Sequence, residues 1–557
     1  MVLIFWSRPT IVWRLSLHTI VDNLVSIPAP HTSLVGRSGP LGQVLPSSPK
    51  YAVWGVKVCC GGIGADNFGV SFRVLRWRGG IIRPIMQEMP IRVRFAPSPT
   101  GPFSLGNART AIFAWLFTKK EGGRFLIRIE DTDKERSKKE YEESILKTLE
   151  WLGIVSDEPI VRQSERGSIY ESYLKKLLEE KKAYYCFCTP EELEGERQAQ
   201  LSQGFPPRYS GKCRSLPPDL VAQKIRNEEG VIRFRMPEMT ISFQDAVRGK
   251  VSFDSALLGD IIIAKSLRNP LYNCAVVIDD YEMKISHVIR GEDHLSNTPK
   301  QIAIQDAFGF PHVHYAHLPL ILGPDRKKLS KRYLETSMYD YKLKGYLASA
   351  VFNFLALLGW HPEKDREVLS VQEILEEFSL KRVQKSGGVF NPEKLEWLNA
   401  QHVKNSSAET LAELLEPFVP PAWFRNKELL QNVVEIEKER LKHLSDFQNL
   451  AGFFFELPEY KKELLIWNDT PVSAILDNLG FALGVIKEIP PHEFKKYTIE
   501  QYVMTVAEKR GRGEVLWPLR VALSGKDASP GPADIMETLG KEESIRRVEI
   551  AVRKMES

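Results

Sequence analysis

The amino-acid sequence predicts an α/β protein: a doubly wound, Rossmann-like domain that contains an α+β insertion and is followed by an all-α region. Strand and helix patterns alternate from Pro90 to about residue 170, as in a parallel sheet with helices on its faces. Residues 230–270 alternate with period 2 between repeated turns, which is typical of antiparallel strands. After about residue 340 the period-2 pattern ends, and helical segments are separated by Pro and Gly.

The composition is that of an ordinary globular protein. Of the 557 residues 43% are hydrophobic and 26% are charged, and no apolar run approaches the roughly 18 residues that span a bilayer. Six cysteines in so long a chain do not make a disulfide framework, so we expect a reducing compartment, the cytoplasm, and no membrane partner.

The net charge of +5 is concentrated at the N-terminus, because residues 1–90 carry nine Lys/Arg and three Asp/Glu. Any basic nucleic-acid surface on the rest of the chain must therefore be local. Residues 1–88 show no sustained periodicity and leave three interpretations open. They are an upstream region read from a wrong start codon, with Met86 or Met89 as the true start, an organellar transit peptide, or a separate domain.

The stretch from Arg92 to Arg109, RVRFAPSPTGPFSLGNAR, has the pattern of a strand, a rigid turn and a helix. Apolar and basic residues alternate up to Phe95, and three prolines and a glycine then prevent the strand from continuing. Beyond Asn107, apolar residues recur at helical spacing. A helix N-terminus after such a turn can bind an anion, so a phosphate-bearing substrate is the first hypothesis.

A second strand is predicted at Phe125–Ile129, and it ends in the acidic sequence EDTD at 130–133. By itself this cluster would be a helix N-cap with favourable first-turn charges. The helix after it carries apolar residues on one face and ends at Gly153.

Buried strands are predicted again at Leu271–Val277 and His287–Arg290. The second of these leads into the sequence GEDH at 291–294, which by itself would be an exposed turn. A helix is predicted over Thr298–Phe308.

A candidate metal site lies between these regions. Cys186 and Cys188 form a C-x-C pair, and Tyr209 and Cys213 follow in RYSGKCR. Three thiolates and a fourth ligand can complete a tetrahedral zinc site, whereas buried free thiols are the alternative.

The basic sequence KKLSKR at 327–332 is the last motif. Such a charge run in a loop is usually only solvated. A mobile loop with two lysines could instead approach a triphosphate and neutralise the charge that develops on the leaving group.

These motifs together resemble the class I glutamyl-tRNA synthetases. APSPTG followed by ART, RIEDTD, the C-x-C…Y-x₃-C pattern, RGEDH and KLSKR occur here in the family's order. The resemblance implies that glutamate attacks the α-phosphate of ATP, and that a hydroxyl of the terminal tRNA adenosine then attacks the mixed anhydride. Such chemistry needs positioning and charge stabilisation more than a covalent nucleophile.

The resemblance also implies roles for individual residues. Those with a catalytic role are Ser104, Asn107, Lys328, Ser330 and Lys331. Those that bind ATP are Pro97, Gly101, Ser104, Gly106, Asn107, Asp293, Lys328 and Lys331. Those that bind glutamate are Arg94, Ala96, Ser98, Glu130, Tyr272 and Arg290. Zinc would be held by Cys186, Cys188, Tyr209 and Cys213, and Mg²⁺ would accompany ATP.

The implied domain order has six parts. They are the N-terminal extension at 1–88, the first catalytic half at 89–170, the acceptor-stem-binding insertion at 171–270, the second catalytic half at 271–335, a stem-contact helical domain at 336–410 and an α-helical anticodon-binding region at 411–557. The implied partners are L-glutamate and tRNA(Glu), with tRNA(Gln) as a further candidate, and the implied oligomeric state is a monomer.

One departure from the family pattern is Ser104, which stands where the family usually has histidine. A serine hydroxyl can donate a hydrogen bond, but it supplies no imidazolium charge. This departure supports one rival hypothesis, a degenerate paralogue that only binds tRNA. A glutaminyl-type synthetase is another rival, because it shares the nucleotide-binding fold, but it would carry β-barrel anticodon domains where this sequence predicts helices. A short paralogue that glutamylates queuosine would lack the C-terminal half that this chain has.

Overall fold

The computed structural model describes residues 90–329 and 337–557, together with the backbone of a short hairpin at Arg76–Trp77 and Gly80–Ile81. The three interpretations of residues 1–88 lie outside the residues described in full. The architecture below belongs to the unit Gln87–Ser557.

In chain order the strands are β1 (Arg92–Phe95), β2 (Arg124–Ile129), β3 (Val161–Arg162), β4 (Ala183–Cys186), β5 (Val231–Phe234), β6 (Thr240–Asp245), β7 (Gly249–Asp254), β8 (Ile262–Ser266), β9 (Asn269–Pro270), β10 (His287–Gly291), β11 (His314–Leu318), β12 (Ile321–Leu322) and β13 (Gly388–Val389). Within the described residues, one seven-stranded sheet has the order β3-β2-β1-β10-β11-β6-β7. All neighbours in it are parallel except β6 and β7. The carboxyl ends of β2, β1 and β10 therefore meet at one edge, where ligands bind in open α/β sheets.

The helices before residue 330 are α1 (Leu105–Lys120), α2 (Lys139–Trp151), α3 (Gly167–Glu179), α4 (Pro190–Ser202), α5 (Pro218–Asn227), α6 (Tyr272–Glu282) and α7 (Thr298–Phe308). The later helices are α8 (Met338–Leu343), α9 (Ala348–Leu357), α10 (Val371–Glu377), α11 (Pro392–Asn405), α12 (Ala408–Leu414), α13 (Lys427–Glu437), α14 (Phe447–Phe455), α15 (Val472–Glu488), α16 (Lys496–Arg510), α17 (Arg512–Ser524), α18 (Pro532–Leu539) and α19 (Lys541–Glu556). The described part of each helix is too short or too polar to cross a bilayer.

Several predicted elements are confirmed. β2 and β10 occupy the predicted positions, and α7 covers Thr298–Phe308 as predicted. Gly153 follows the end of α2 with φ +73°, a left-handed conformation that glycine adopts without strain. The region after residue 340 is mainly helical, as predicted. From Val403 onward its buried apolar residues form a core of their own, whereas most of those from Tyr341 to Leu398 pack into the core that contains β1 and β2.

Two predicted elements are wrong. Leu271–Val277 is not a strand, because the chain forms α6 from Tyr272 onward. Five consecutive residues of α6, Cys274–Ile278, are buried, so the helix has no polar face in this segment and its sequence lacks a helical period. The EDTD sequence is not a helix cap either, since α2 begins only at Lys139 and its N-cap makes no side-chain hydrogen bond.

The interpretation of residues 230–270 needs a correction. β5, β8 and β9 join β4 in a separate antiparallel sheet, as expected for an insertion. The hairpin of β6 and β7, however, pairs with β11 and extends the main sheet. Period-2 alternation identifies a strand but not its partner, so the sequence could not distinguish these two sheets.

Candidate active site

A cleft of about 1130 Å³ lies at the carboxyl ends of β1, β2 and β10. Its described lining includes most of the residues predicted from sequence: Arg94, Ala96, Pro97, Ser98, Ser104, Gly106, Asn107, Glu130, Tyr272, Arg290, Asp293 and Lys328. Gly101 does not line it, although its turn does. Ser330 and Lys331 lie outside the described residues. Residues from three strands, one turn and α6 thus converge, because the chain adds strands on one side of β1 first and on its other side later, which opens a crevice at the carboxyl ends.

The turn before α1 forms one end of the cleft. Ser104 is the N-cap of α1, and its Oγ accepts a hydrogen bond from the backbone N–H of Asn107 at 3.3 Å. A Cβ added at Gly106 would meet only Ser104 Oγ, at 3.9 Å, so no protein packing requires glycine there. The space instead belongs to the cleft, which leaves the first turn of a helix open to an anionic ligand.

A buried charge network forms the floor of the cleft. Asp280 Oδ1 accepts from Arg94 Nε at 2.9 Å and from Arg128 Nη1 at 2.7 Å, and Arg128 Nη2 also donates to Glu130 at 2.9 Å. Burial would raise the pKa of Asp280, but the guanidinium groups of Arg94 and Arg128 outweigh it and lower that pKa. Burial raises the pKa of Glu130 despite Arg128.

Arg94 and Glu130 therefore line the cleft with their orientations already set. Arg94 uses its Nε on Asp280, and no other residue of the described chain bonds to its terminal nitrogens. Glu130 is 6% exposed and still lines the cleft. A ligand with an ammonium group would find a carboxylate here, and a ligand carboxylate would find a guanidinium beside it.

Tyr272, Arg290 and His294 form one wall of the cleft. Tyr272 hydroxyl lies 3.1 Å from His294 Nδ1 and 3.4 Å from Arg290 Nη1, which donates to it. Burial is the main cause that lowers the pKa of His294 to about 4, and Arg290 adds to the shift. This imidazole is therefore neutral at pH 7, and the positive charge of this wall belongs to Arg290.

Sequence reasoning missed the residues behind the cleft. Arg128 and Asp280 align the ligand-facing groups, while Asp245 and His317 lie beneath Arg290. The only local signal was a charged residue within an otherwise apolar segment, as at Arg128 in β2. Their partners are distant in sequence, so no spacing could have paired them.

The described residues contain one group of thiols that could hold a metal ion. The Sγ atoms of Cys186, Cys188 and Cys213 lie within 4.8 Å of one another, and Tyr209 hydroxyl is 3.5 Å from two of them. Tetrahedral zinc with Zn–S bonds of about 2.3 Å would separate its sulfurs by roughly 3.8 Å. The donor set and its size therefore fit zinc.

An open, mainly parallel sheet with a cleft at the carboxyl ends of its strands is the architecture of a nucleotide-binding enzyme. Residues 90–397 match the family described as tRNA synthetases class I (E and Q), catalytic domain, and residues 410–552 match the anticodon binding domain. The chain belongs to this family of class I tRNA synthetases.

Its relatives include glutamate–tRNA ligases. Glutamate–tRNA ligase 2 of Thermoanaerobacter pseudethanolicus is 41% identical over 471 residues, which cover 83% of this chain and 98% of the relative. The enzyme of the same name from Caldanaerobacter subterraneus is 44% identical over 478 residues, covering 82% and 98%. The crystal structure of a glutamate tRNA ligase from Elizabethkingia meningosepticum in complex with its amino acid superimposes with a TM-score of 0.73. It is 36% identical and covers 84% of this chain and 99% of that one.

Proposed function

We propose that the protein ligates L-glutamate to tRNA(Glu) with ATP, through a glutamyl-adenylate intermediate. The observation that carries this proposal is the placement of Arg94, Glu130 and Arg290 around one cleft that also contains the N-terminus of α1. Two cations and one carboxylate complement a zwitterion with an extra carboxylate, and an open helix N-terminus complements phosphate.

Arg94 is the proposed partner of the γ-carboxylate of glutamate. Its Nε is held by Asp280 at 2.9 Å, so the two terminal nitrogens can form a bidentate pair. The neutral amide of glutamine would give those two terminal nitrogens no charged partner, which favours glutamate over glutamine. Glu130 would hold the ammonium group, whose positive charge would offset the rise in pKa that burial causes.

The remaining pocket residues would surround the substrate's backbone. Tyr272 and Arg290 line the same cleft as Arg94 and would bind the carboxylate that attacks ATP. Ala96 and Ser98 belong to the turn after β1, where a small side chain and an exposed hydroxyl leave room for the substrate.

ATP would lie along the turn before α1. Gly106 leaves space for the close approach of a phosphate or the base, and Ser104 and Asn107 are exposed to the cleft. Pro97 shapes this turn, and Asp293 lines the cleft on the side of β10, where it would face the ribose.

Charge on the pyrophosphate would be neutralised from the basic loop. Lys328 lines the cleft at the near end of this loop, and Lys331 and Ser330 are the proposed contacts further along it. Mg²⁺ would enter with ATP and shield the triphosphate. The chain's own contribution is to orient the substrate carboxylate against the α-phosphate, which is how phosphoryl transfer is mostly catalysed.

Zinc is the proposed structural metal of the insertion, held by Cys186, Cys188, Cys213 and Tyr209. It would tie the end of β4 to the loop that contains Cys213, far from the reacting groups in sequence. A closed site of this kind stabilises a fold and takes no part in the ligation.

The test is ATP–pyrophosphate exchange in the presence of tRNA, with L-glutamate and L-glutamine compared at equal concentrations. We expect exchange with glutamate and a much lower rate with glutamine. Separate charging of tRNA(Glu) and tRNA(Gln) then determines which tRNA is the acceptor. If neither amino acid supported exchange, the proposed function would be refuted.

A further inference from the structure

A buried Asp–His pair lies directly behind Arg290. Asp245 and His317 are 1% and 0% exposed, and neither residue lines the cleft. Asp245 ends β6 and His317 lies in β11, so they come together only because the hairpin of β6 and β7 joins the main sheet.

The carboxylate of Asp245 is surrounded by donors. It accepts from the backbone N–H groups of Val247 at 2.9 Å, Arg248 at 2.8 Å and His317 at 3.1 Å, and His317 Nδ1 lies 2.6 Å away. Burial opposes its ionisation, but the bond to His317 and the backbone N–H groups outweigh burial and lower the pKa of Asp245. An ionised Asp245 can only accept, so the proton of a neutral His317 lies on Nδ1.

The other ring nitrogen of His317 is therefore an acceptor that faces Arg290. Arg290 Nε donates to His317 Nε2 at 3.2 Å, and Arg290 Nη2 donates to Thr298 Oγ1 at 2.9 Å. Thr298 hydroxyl itself lies 3.0 Å from His317 Nε2 and 3.4 Å from the carbonyl oxygen of His294. Burial lowers the pKa of His317, which keeps a second positive charge away from the guanidinium.

We propose that Asp245 and His317 are positioning residues that orient the guanidinium of Arg290 for a carboxylate of the amino-acid substrate. This inference rests on the proposed function, because it assigns Arg290 to that carboxylate. Two edges of the guanidinium are occupied by His317 and Thr298, so its Nη1 is directed to Tyr272 and the cleft. Asp245 acts one step further back, by fixing which nitrogen of His317 carries the proton.

The turn between β6 and β7 also stabilises the carboxyl end of β10. Arg248 forms an ion pair with Glu292, whose other carboxylate oxygen accepts from the backbone N–H of Leu320 at 2.7 Å. The hairpin thus contacts β11 through His317 and the residue after β10 through Glu292. Both contacts stabilise the strand end that carries Arg290.

The test compares His317→Leu with His317→Gln in ATP–pyrophosphate exchange with tRNA, with the KM values for glutamate and ATP measured separately. Leucine removes the acceptor, so the KM for glutamate should rise about 10- to 150-fold, as for the loss of a hydrogen bond to a charged group. The KM for ATP should not change. Glutamine carries an amide oxygen near the position of Nε2 and should recover most of the affinity for glutamate.

Asp245→Asn provides a second variant if leucine prevents folding. Its amide must place its NH₂ against either the Nδ1 side of His317 or the backbone N–H groups of Val247 and Arg248, so it disturbs the same proton arrangement. We expect it to raise the KM for glutamate selectively as well. His402→Leu is the matched control, because His402 is also buried and bonds to Asn353 at 3.0 Å in the helical region; its KM for glutamate should equal that of the wild type.

Two outcomes separate the hypotheses. Wild-type exchange with glutamate, combined with unchanged or equally raised KM values for both substrates in the His317 and Asp245 variants, would overturn the positioning role alone. No exchange in the wild type would instead refute the proposed function, on which this role depends.

Discussion

Ser104 offers the sharpest perturbation, because it has one structural role in the fold and one proposed role in the site. Its Oγ caps α1 by accepting from Asn107 N–H at 3.3 Å, and the residue is exposed at the cleft. As a cap acceptor, Oγ still has its own hydrogen to donate. We expect that hydrogen to bind a phosphate oxygen of ATP.

Two substitutions separate these roles. Ser104→Ala removes the cap and the hydroxyl, and loss of a cap costs about 1 kcal/mol of helix stability, whereas Ser104→Gly costs only a few tenths. Both remove the donor to phosphate. A hydrogen bond to a charged group contributes about 1.5–3 kcal/mol, so kcat/KM for ATP should fall by about 10- to 150-fold in both variants.

The assay is ATP–pyrophosphate exchange with tRNA at saturating glutamate, combined with thermal unfolding of the same preparations. Equal loss of kcat/KM in the two variants, with a larger loss of stability in Ser104→Ala, supports the donor role. If Ser104→Gly retains wild-type activity, Ser104 is only a cap and the reasoning is refuted.

Ser104→His restores the residue that the family usually has at this position. It should raise kcat/KM for ATP, because an imidazolium adds positive charge beside the phosphates. Unchanged activity would mean that the turn already binds ATP through other donors, of which Asn107 is the nearest candidate.

Three further outcomes are expected. Arg94→Lys should raise the KM for glutamate at least about 10-fold and leave the KM for ATP unchanged, since lysine cannot form the bidentate pair or the Nε bond to Asp280. A KM for glutamate equal to that of the wild type would contradict this expectation. Purified protein should contain about one zinc per chain by metal analysis, which Cys188→Ser should lose and the control Cys274→Ser, a buried cysteine outside the cluster, should retain. Burial raises the pKa of Glu437 to about 7, so its carboxyl group binds a proton more tightly in the folded state than in the unfolded state. The stability that this protonation contributes is lost as the pH rises through 7. The free energy of unfolding of Glu437→Gln, measured with denaturant, should therefore increase by about 2–3 kcal/mol relative to that of the wild type as the pH rises from 5 to 8. A difference that does not depend on pH would refute the raised pKa of Glu437.

The sequence by itself determined the elements with strong local signals. Prolines and a glycine after an alternating segment marked the turn before α1, and three thiols at ligand spacing marked the cysteine cluster that the structure assembles. Most of the site residues that the ordered motifs identified also line the cleft. These features are encoded within short stretches of sequence, so they do not depend on which distant segments the fold brings together.

Only the tertiary structure determined which of these stretches pair with one another and which buried residues orient the groups that line the cleft. α6 could not be distinguished from a buried strand, because its buried segment has no polar face to give a helical period. The hairpin of β6 and β7 could not be assigned to the main sheet, because alternation does not name a partner. Asp280 behind Arg94 and the Asp245–His317 pair behind Arg290 join residues 186, 72 and 27 positions apart. Such contacts arise from the burial of charge in the folded sheet, and no local pattern encodes them.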